Sequence, residues 1–166
     1  IRLPEKLEGL PLGIDKFPLF YEVWGRVFGE GQAMVLANTI LTQKPYPIKA
    51  LFVAGSNPVL TWPETPKVKK ALASLEFVAV MDLFLTDTTK YADLFLPAAS
   101  FLERIELCDY YGTLHAIPYI TLRKKVLKVG EAISDLNFWI KLARKMGYDQ
   151  YFPWLIFKLQ LTLFSL

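Results

Sequence analysis

The chain has 166 residues, of which 53% are hydrophobic, 14% aromatic and 21% charged; this excludes a disordered chain, which is poor in apolar and aromatic side chains. Nineteen basic against sixteen acidic residues leave a net charge of +3, too mild to argue for nucleic acid as a partner. One cysteine, Cys108, and one histidine, His115, exclude an internal disulfide, a Cys-rich zinc site, an iron–sulfur cluster and a multi-histidine metal site within this chain.

Residues 1–20 carry Pro4, Pro11, Pro18, Gly9 and Gly13, a density that blocks long helices and predicts an extended arm lying on something else. Ile1 in place of an initiator methionine, with no basic start and apolar core after it, points to a processed or excised piece without a signal peptide. From Tyr21 to Thr42 the apolar positions Val23, Trp24, Val27 and Phe28, then Met34, Val35, Leu36 and Ile40, suggest two short helices parted at Gly29–Gly31.

The middle of the chain is better patterned. Ile48 to Ala54 is a short apolar run closed by Gly55, the mark of a buried parallel strand. Thr65 and Pro66 open a helical segment with Val68, Ala71, Leu72 and Leu75 on one face, Thr65 reading as the N-cap. Phe77 to Met81 is a second buried strand ending at Asp82. Thr86 or Asp87 caps a short helix reaching Ala92, and Leu94-Phe95-Leu96 is a third strand stopped by Pro97. Strand, helix, strand, short helix, strand predicts an α/β fold with a doubly wound, mainly parallel sheet, flanking helices and right-handed crossovers.

Residues 98–130 read as loop and irregular β, with alternation between Tyr119 and Val129. Ser134 or Asp135 starts an amphipathic helix to Met146 through Leu136, Trp139, Ile140, Leu142 and Ala143, with Gly147 just past its end. No stretch reaches the ~18 uninterrupted apolar residues of a membrane span; the closest, Tyr151 to Leu166, is broken by Pro153 and Lys158.

Ligands of open α/β sheets bind outside the carboxyl ends of the strands. One such end is Gly55-Ser56-Asn57-Pro58: Gly55 lets a ligand approach the backbone, and Asn57 offers donor and acceptor to a nucleotide or pterin edge. The same residue types also make a plain turn. Another is Asp82, whose carboxylate can accept from ribose hydroxyls or from the paired N–H donors of guanine, or can simply cap its turn. Asp93 precedes its strand and so sits at the wrong end, which predicts a structural role. Neither a G-x-G-x-x-G fingerprint nor a Walker A loop is present. No nucleophile stands beside an obvious base, and Cys108, among Leu107, Tyr110 and Tyr111, reads as an inert thiol rather than as a partner of His115.

The run Ile48-Lys49-Ala50-Leu51-Phe52-Val53-Ala54-Gly55-Ser56-Asn57-Pro58, then Val80-Met81-Asp82, then Thr86-Asp87-Thr88-Thr89-Lys90-Tyr91-Ala92-Asp93-Leu94-Phe95-Leu96-Pro97, Phe101-Leu102-Glu103-Arg104 and Gly130-Glu131-Ala132-Ile133-Ser134-Asp135 resembles the molybdopterin oxidoreductases of the dimethyl-sulfoxide-reductase type over residues 20–150. The resemblance implies part of a catalytic subunit: residues 21–150 as a partial, Rossmann-like cofactor-binding domain, preceded by the 1–20 arm and followed by an apolar 151–166 tail outside the family pattern. It implies molybdopterin guanine dinucleotide as cofactor, with molybdenum or tungsten held by parts of the enzyme beyond this segment. Gly55, Ser56, Asn57, Met81 and Asp82 would then contribute to one dinucleotide. Arg104 stands where the family often has a basic residue near the cofactor, and Asp135 where it has a cofactor-binding acid. Arg104 is equally placed to pair with Glu103 or Glu106, and Asp135 to cap its helix.

The same resemblance implies that the chain is inactive alone and works with the remainder of the catalytic subunit and with iron–sulfur electron-transfer subunits. Ile105 to Gly112 departs from the family's usual glycine, Asn and Arg after the Glu-Arg pair, which leaves the substrate open. The compartment is open too, with cytoplasmic slightly ahead of exported. The alternative is a non-catalytic α/β interaction module that self-associates through the apolar tail.

Overall fold

The computed structural model describes residues 11–25, 29–108 and 121–151. His115, positions 1–10 of the expected arm and positions 152–166 of the expected tail, with its self-association, lie outside the described residues. The described residues belong to two compact units, one within Glu5–Ala98 and one within Ala99–Leu166.

The first unit is α/β. Turns around Gly13, whose carbonyl accepts from Lys16 and Phe17 N–H, lead to a helical turn Pro18–Phe20 that widens through Tyr21–Gly25. A 3₁₀ turn Ala33–Val35 runs into helix α1, Leu36–Thr42, and strand β1, Ala50–Ala54, follows. Helices α2, Pro58–Thr61, and α3, Thr65–Ala73, precede β2, Phe77–Asp82; a 3₁₀ turn Asp87–Tyr91 precedes β3, Leu94–Pro97. The sheet is parallel in the order β1-β2-β3, with Val53 opposite Val80 and Val80 opposite Phe95.

Side chains alternate across a strand, so Leu51, Val53, Val78, Val80 and Phe95 form one face, packed with Leu75 and Ala92. Ala79 and Met81 face the other way and are buried as well. That is why β2 reads as a continuous apolar run rather than an alternating one. Ala37, Ile40, Val59, Val68, Ala71 and Leu72 bring α1, α2 and α3 into a single cluster with Leu51, Trp62 and Tyr91. Each Val or Leu taken fully from water there contributes roughly 1.5–3 kcal/mol.

One local start differs from expectation. Helix α3 begins at Thr65 itself and its cap is Glu64, one residue earlier than expected, because Glu64 takes the left-handed conformation (φ +58°) and its carbonyl accepts from Lys67 and Val68 N–H. Pro66 fits because any first-turn position tolerates its missing N–H. The short helix expected after Thr86 is a five-residue 3₁₀ turn with Thr86 at its cap position, a common form for so short a connection.

In the second unit β4, Glu106–Cys108, pairs antiparallel with β5, Thr121–Arg123. Helix α4, Asp135–Lys145, starts after Ser134 and ends at Met146. Gly147 (φ +81°) then turns the chain back, with Tyr148 N–H donating to the Ala143 carbonyl, a glycine-terminated helix end. Among the described residues no helix is long and apolar enough to cross a membrane.

Candidate functional site

The site is built where β1 and β2 end. Past Ala54, Gly55 N–H still donates to the Met81 carbonyl (2.9 Å), so the two strand ends stay in register. Gly55 itself has φ +55°, and a Cβ added there would meet nothing within 4 Å. The conformation favours glycine, and the open space leaves the backbone approachable. Ser56 is exposed and Asn57 half-buried. The Asn57 carbonyl accepts from Leu60 N–H, Thr61 N–H and the Thr61 hydroxyl, which anchors the start of α2.

On β2, the Asp82 Oδ1 accepts from Leu83 N–H (2.7 Å) and Phe84 N–H (3.3 Å). Its own carboxylate thus closes the turn that terminates the strand. Oδ2 has no partner among the described residues, and Asp82 is half-buried, so one acceptor oxygen is left uncommitted. Met81 is 1% exposed. Its side chain belongs to the core, and what it brings to the strand end is the carbonyl held by Gly55.

A residue that the sequence alone does not single out is bonded to the first of these ends, past β1. The hydroxyl of Thr88, 0% exposed, donates to Asn57 Oδ1 (2.6 Å) and accepts from Val59 N–H (3.2 Å). One threonine inside the polar run Thr86-Asp87-Thr88-Thr89 carries no periodic signal, so only the fold distinguishes it from its neighbours. Beside it on the exposed side of the turn, the hydrogen bond and charge of Lys90 hold the Asp87 carboxyl below its ordinary pKa, and Asp87 raises that of Lys90. The two charges satisfy each other.

Asp93 is structural, as its position before β3 predicts: its carboxylate accepts from Val78 N–H (2.7 Å) while its own N–H donates to the Val78 carbonyl (2.8 Å).

The second unit holds the other two expected residues, and it pairs them. Arg104 donates to Asp135 Oδ2 and, through its other terminal nitrogen, to Glu106 Oε1 (3.2 Å), whose Oε2 accepts from Arg123 (3.0 Å). Of the two partners open to Arg104 in the sequence, Glu106 is used. Glu103 instead accepts from Ser100 N–H and hydroxyl and from Val129 N–H; these bonds hold its carboxyl below the ordinary glutamate range. Among the described residues there is no cluster of three metal-ligating side chains.

The parallel α/β sheet thus carries a glycine-opened turn, an amide and a half-free carboxylate along its carboxyl edge, the edge outside which open α/β sheets bind ligands. A family profile described as molybdopterin oxidoreductase matches residues 28–145, and the chain belongs to that family. It is 35% identical to the thiosulfate reductase molybdopterin-containing subunit PhsA of Salmonella typhimurium over 127 residues, covering 76% of this chain and 16% of that protein. It is 35% identical over 150 residues to the F420-dependent formate dehydrogenase subunit alpha of Methanocaldococcus jannaschii, covering 90% and 22%. The solved structure of acetylene hydratase from Pelobacter acetylenicus matches 92% of this chain with 29% identity and a TM-score of 0.77, over 23% of that chain. The chain thus spans less than a quarter of the length of each of these relatives. Membership of the family implies a molybdopterin cofactor.

Proposed function

We propose that this chain is part of the catalytic subunit of a molybdenum or tungsten oxidoreductase and binds the guanosine end of a molybdopterin guanine dinucleotide at the carboxyl edge of β1 and β2. The observation that carries this reading is the Asp82 carboxylate, fixed through Oδ1 by its own turn and left with Oδ2 unpartnered. A carboxylate oxygen so held suits the adjacent N1–H and N2–H donors of guanine, and charge-assisted bonds of this kind contribute roughly 1.5–3 kcal/mol. The residues present fit the group in two further ways. Gly55 leaves room for a phosphate or ribose against the backbone, with Ser56 exposed beside it, and Asn57 adds a second polar contact from the neighbouring strand.

When bound, the cofactor supplies the redox chemistry of its metal; this chain's own residues bind and orient its nucleotide end. Met81 serves through the backbone carbonyl that keeps Gly55 in place. Arg104 and Asp135 are assigned to cofactor binding as a pair: each terminal guanidinium nitrogen keeps a second proton beside its bond to Asp135 or Glu106 and offers it to an anionic or carbonyl group. No catalytic residue is assigned to this segment, which acts with the remainder of the subunit and with iron–sulfur electron-transfer partners.

The test is calorimetric titration of the full chain with guanosine and adenosine diphosphates. We expect guanosine diphosphate to bind about tenfold or more tightly, as one charged hydrogen bond implies, and the preference to vanish in Asp82→Ala and Asp82→Asn. Equal binding of the two nucleotides would remove the guanosine assignment.

A further inference from the structure

We propose that Thr88 is a positioning residue: it fixes the direction of the Asn57 amide, so that Asn57 presents Nδ2–H₂ and acts as a donor to the ligand. The Thr88 hydroxyl is fully buried, has one proton and two lone pairs, and already accepts from Val59 N–H at 3.2 Å. Its proton therefore goes to the Asn57 side chain 2.6 Å away, and only Oδ1 of that amide accepts. Turned the other way, the amide would point its own N–H at the hydroxyl, and a buried proton would be left without an acceptor.

The rest of Asn57 is equally committed. Its carbonyl is taken by Leu60 and Thr61, and among the described residues Nδ2 has no partner. The half-buried amide thus turns its donor face outward. The carboxyl edge then carries a donor on the β1 side and an acceptor, Asp82 Oδ2, on the β2 side. Guanine offers O6 and N7 as acceptors next to its N–H donors, whereas adenine places an amino donor where guanine has O6. The fixed amide selects for guanine by rewarding one edge and opposing the other. This deepens the guanosine reading above and rests on it.

The test uses the full chain, guanosine and adenosine diphosphates in a titration calorimeter, and thermal unfolding of each variant. Thr88→Ser keeps the hydroxyl and should hold the guanosine preference within about twofold, whereas Thr88→Val should reduce it about tenfold, the scale of one hydrogen bond. Asn57→Asp answers the case in which Thr88→Val does not fold. The carboxylate still accepts from Thr88 but cannot donate outward, so the ratio of the two affinities should shift toward adenosine. A folded Thr88→Val, or an Asn57→Asp, with the wild-type ratio overturns the proposal. If the wild-type chain prefers guanosine through Asp82 and Thr88→Val keeps that preference, only the role of Thr88 falls. If the wild-type chain shows no preference, the guanosine reading falls and this proposal falls with it.

Discussion

Arg104 and Asp135, 31 positions apart, form an ion pair in which Arg104 also reaches Glu106, and Glu106 in turn holds Arg123. The start of helix α4 is thereby tied to the base of the β4–β5 ribbon. The Arg104 side chain is 26% exposed and that of Asp135 45%, so water and salt screen the pair, and its coupling should be near 1 kcal/mol rather than the value of a buried pair. A double-mutant cycle of Arg104→Ala and Asp135→Ala by thermal or denaturant unfolding should return about that coupling, reduced in high salt. Arg104→Lys should recover only part of it, because an ammonium cannot serve both Asp135 and Glu106 as a fork does.

Glu103 makes stability depend on pH. Its carboxyl accepts from Ser100 and Val129 and is held below its ordinary range by those bonds, the Ser100 N–H first among them. A carboxylate with a depressed folded-state pKa contributes stability above its unfolded pKa and loses it as pH falls through the folded one. The wild type should exceed Glu103→Gln in melting temperature by a constant margin near neutrality. That margin should shrink below pH of about 4, where glutamates ordinarily protonate. A margin that widens in acid would contradict the assignment.

Much of the fold was readable in advance, for physical reasons that differ from element to element. The strands announced themselves because β2 is buried on both faces, so its whole length is apolar, and because Gly55, Asp82 and Pro97 each stop a strand by local chemistry. Asp93 was readable as structural because it precedes β3. Helix α4 was readable from its stripe of Leu136, Trp139, Ile140 and Ala143 between Ser134 and Gly147. The turn at Asp87–Tyr91 was readable as a short helix but not as 3₁₀, since four polar residues and Tyr91 fit either helix type. Arg104 pairs with Asp135 across 31 positions, a contact without a local signature. Thr88 was invisible among three threonines, because only the packing of α2 against the 87–91 turn buries that one. The Asp82 carboxylate was legible as an acceptor at a strand end, but not that its turn would occupy one oxygen and spare the other.

Met81 tests whether β2 is core or contact surface. At 1% exposed, Met81→Ala should cost about 2–5 kcal/mol in unfolding free energy, with nucleotide affinity per folded molecule unchanged. A variant of wild-type stability that binds more weakly would place the side chain at the ligand instead.

Gly55 should respond in the opposite sense. Any β-branched side chain is strained at φ +55°, by about 1–2 kcal/mol, yet the added atoms meet only open space. Gly55→Val should therefore lower stability modestly and reduce guanosine diphosphate binding to a much larger degree. Calorimetry beside thermal unfolding separates the two effects.

In the proposed function the guanine of the cofactor is read by Asp82. The most direct measurement is a crystallographic or cryo-electron-microscopic structure of the complete subunit containing this segment with its cofactor bound. Guanine N1 and N2 are expected within hydrogen-bonding distance of Asp82, about 2.7–3.2 Å, with the Asn57 amide donor facing the O6 edge. Clear density for the guanine lodged elsewhere, with Asp82 turned to solvent, would contradict it.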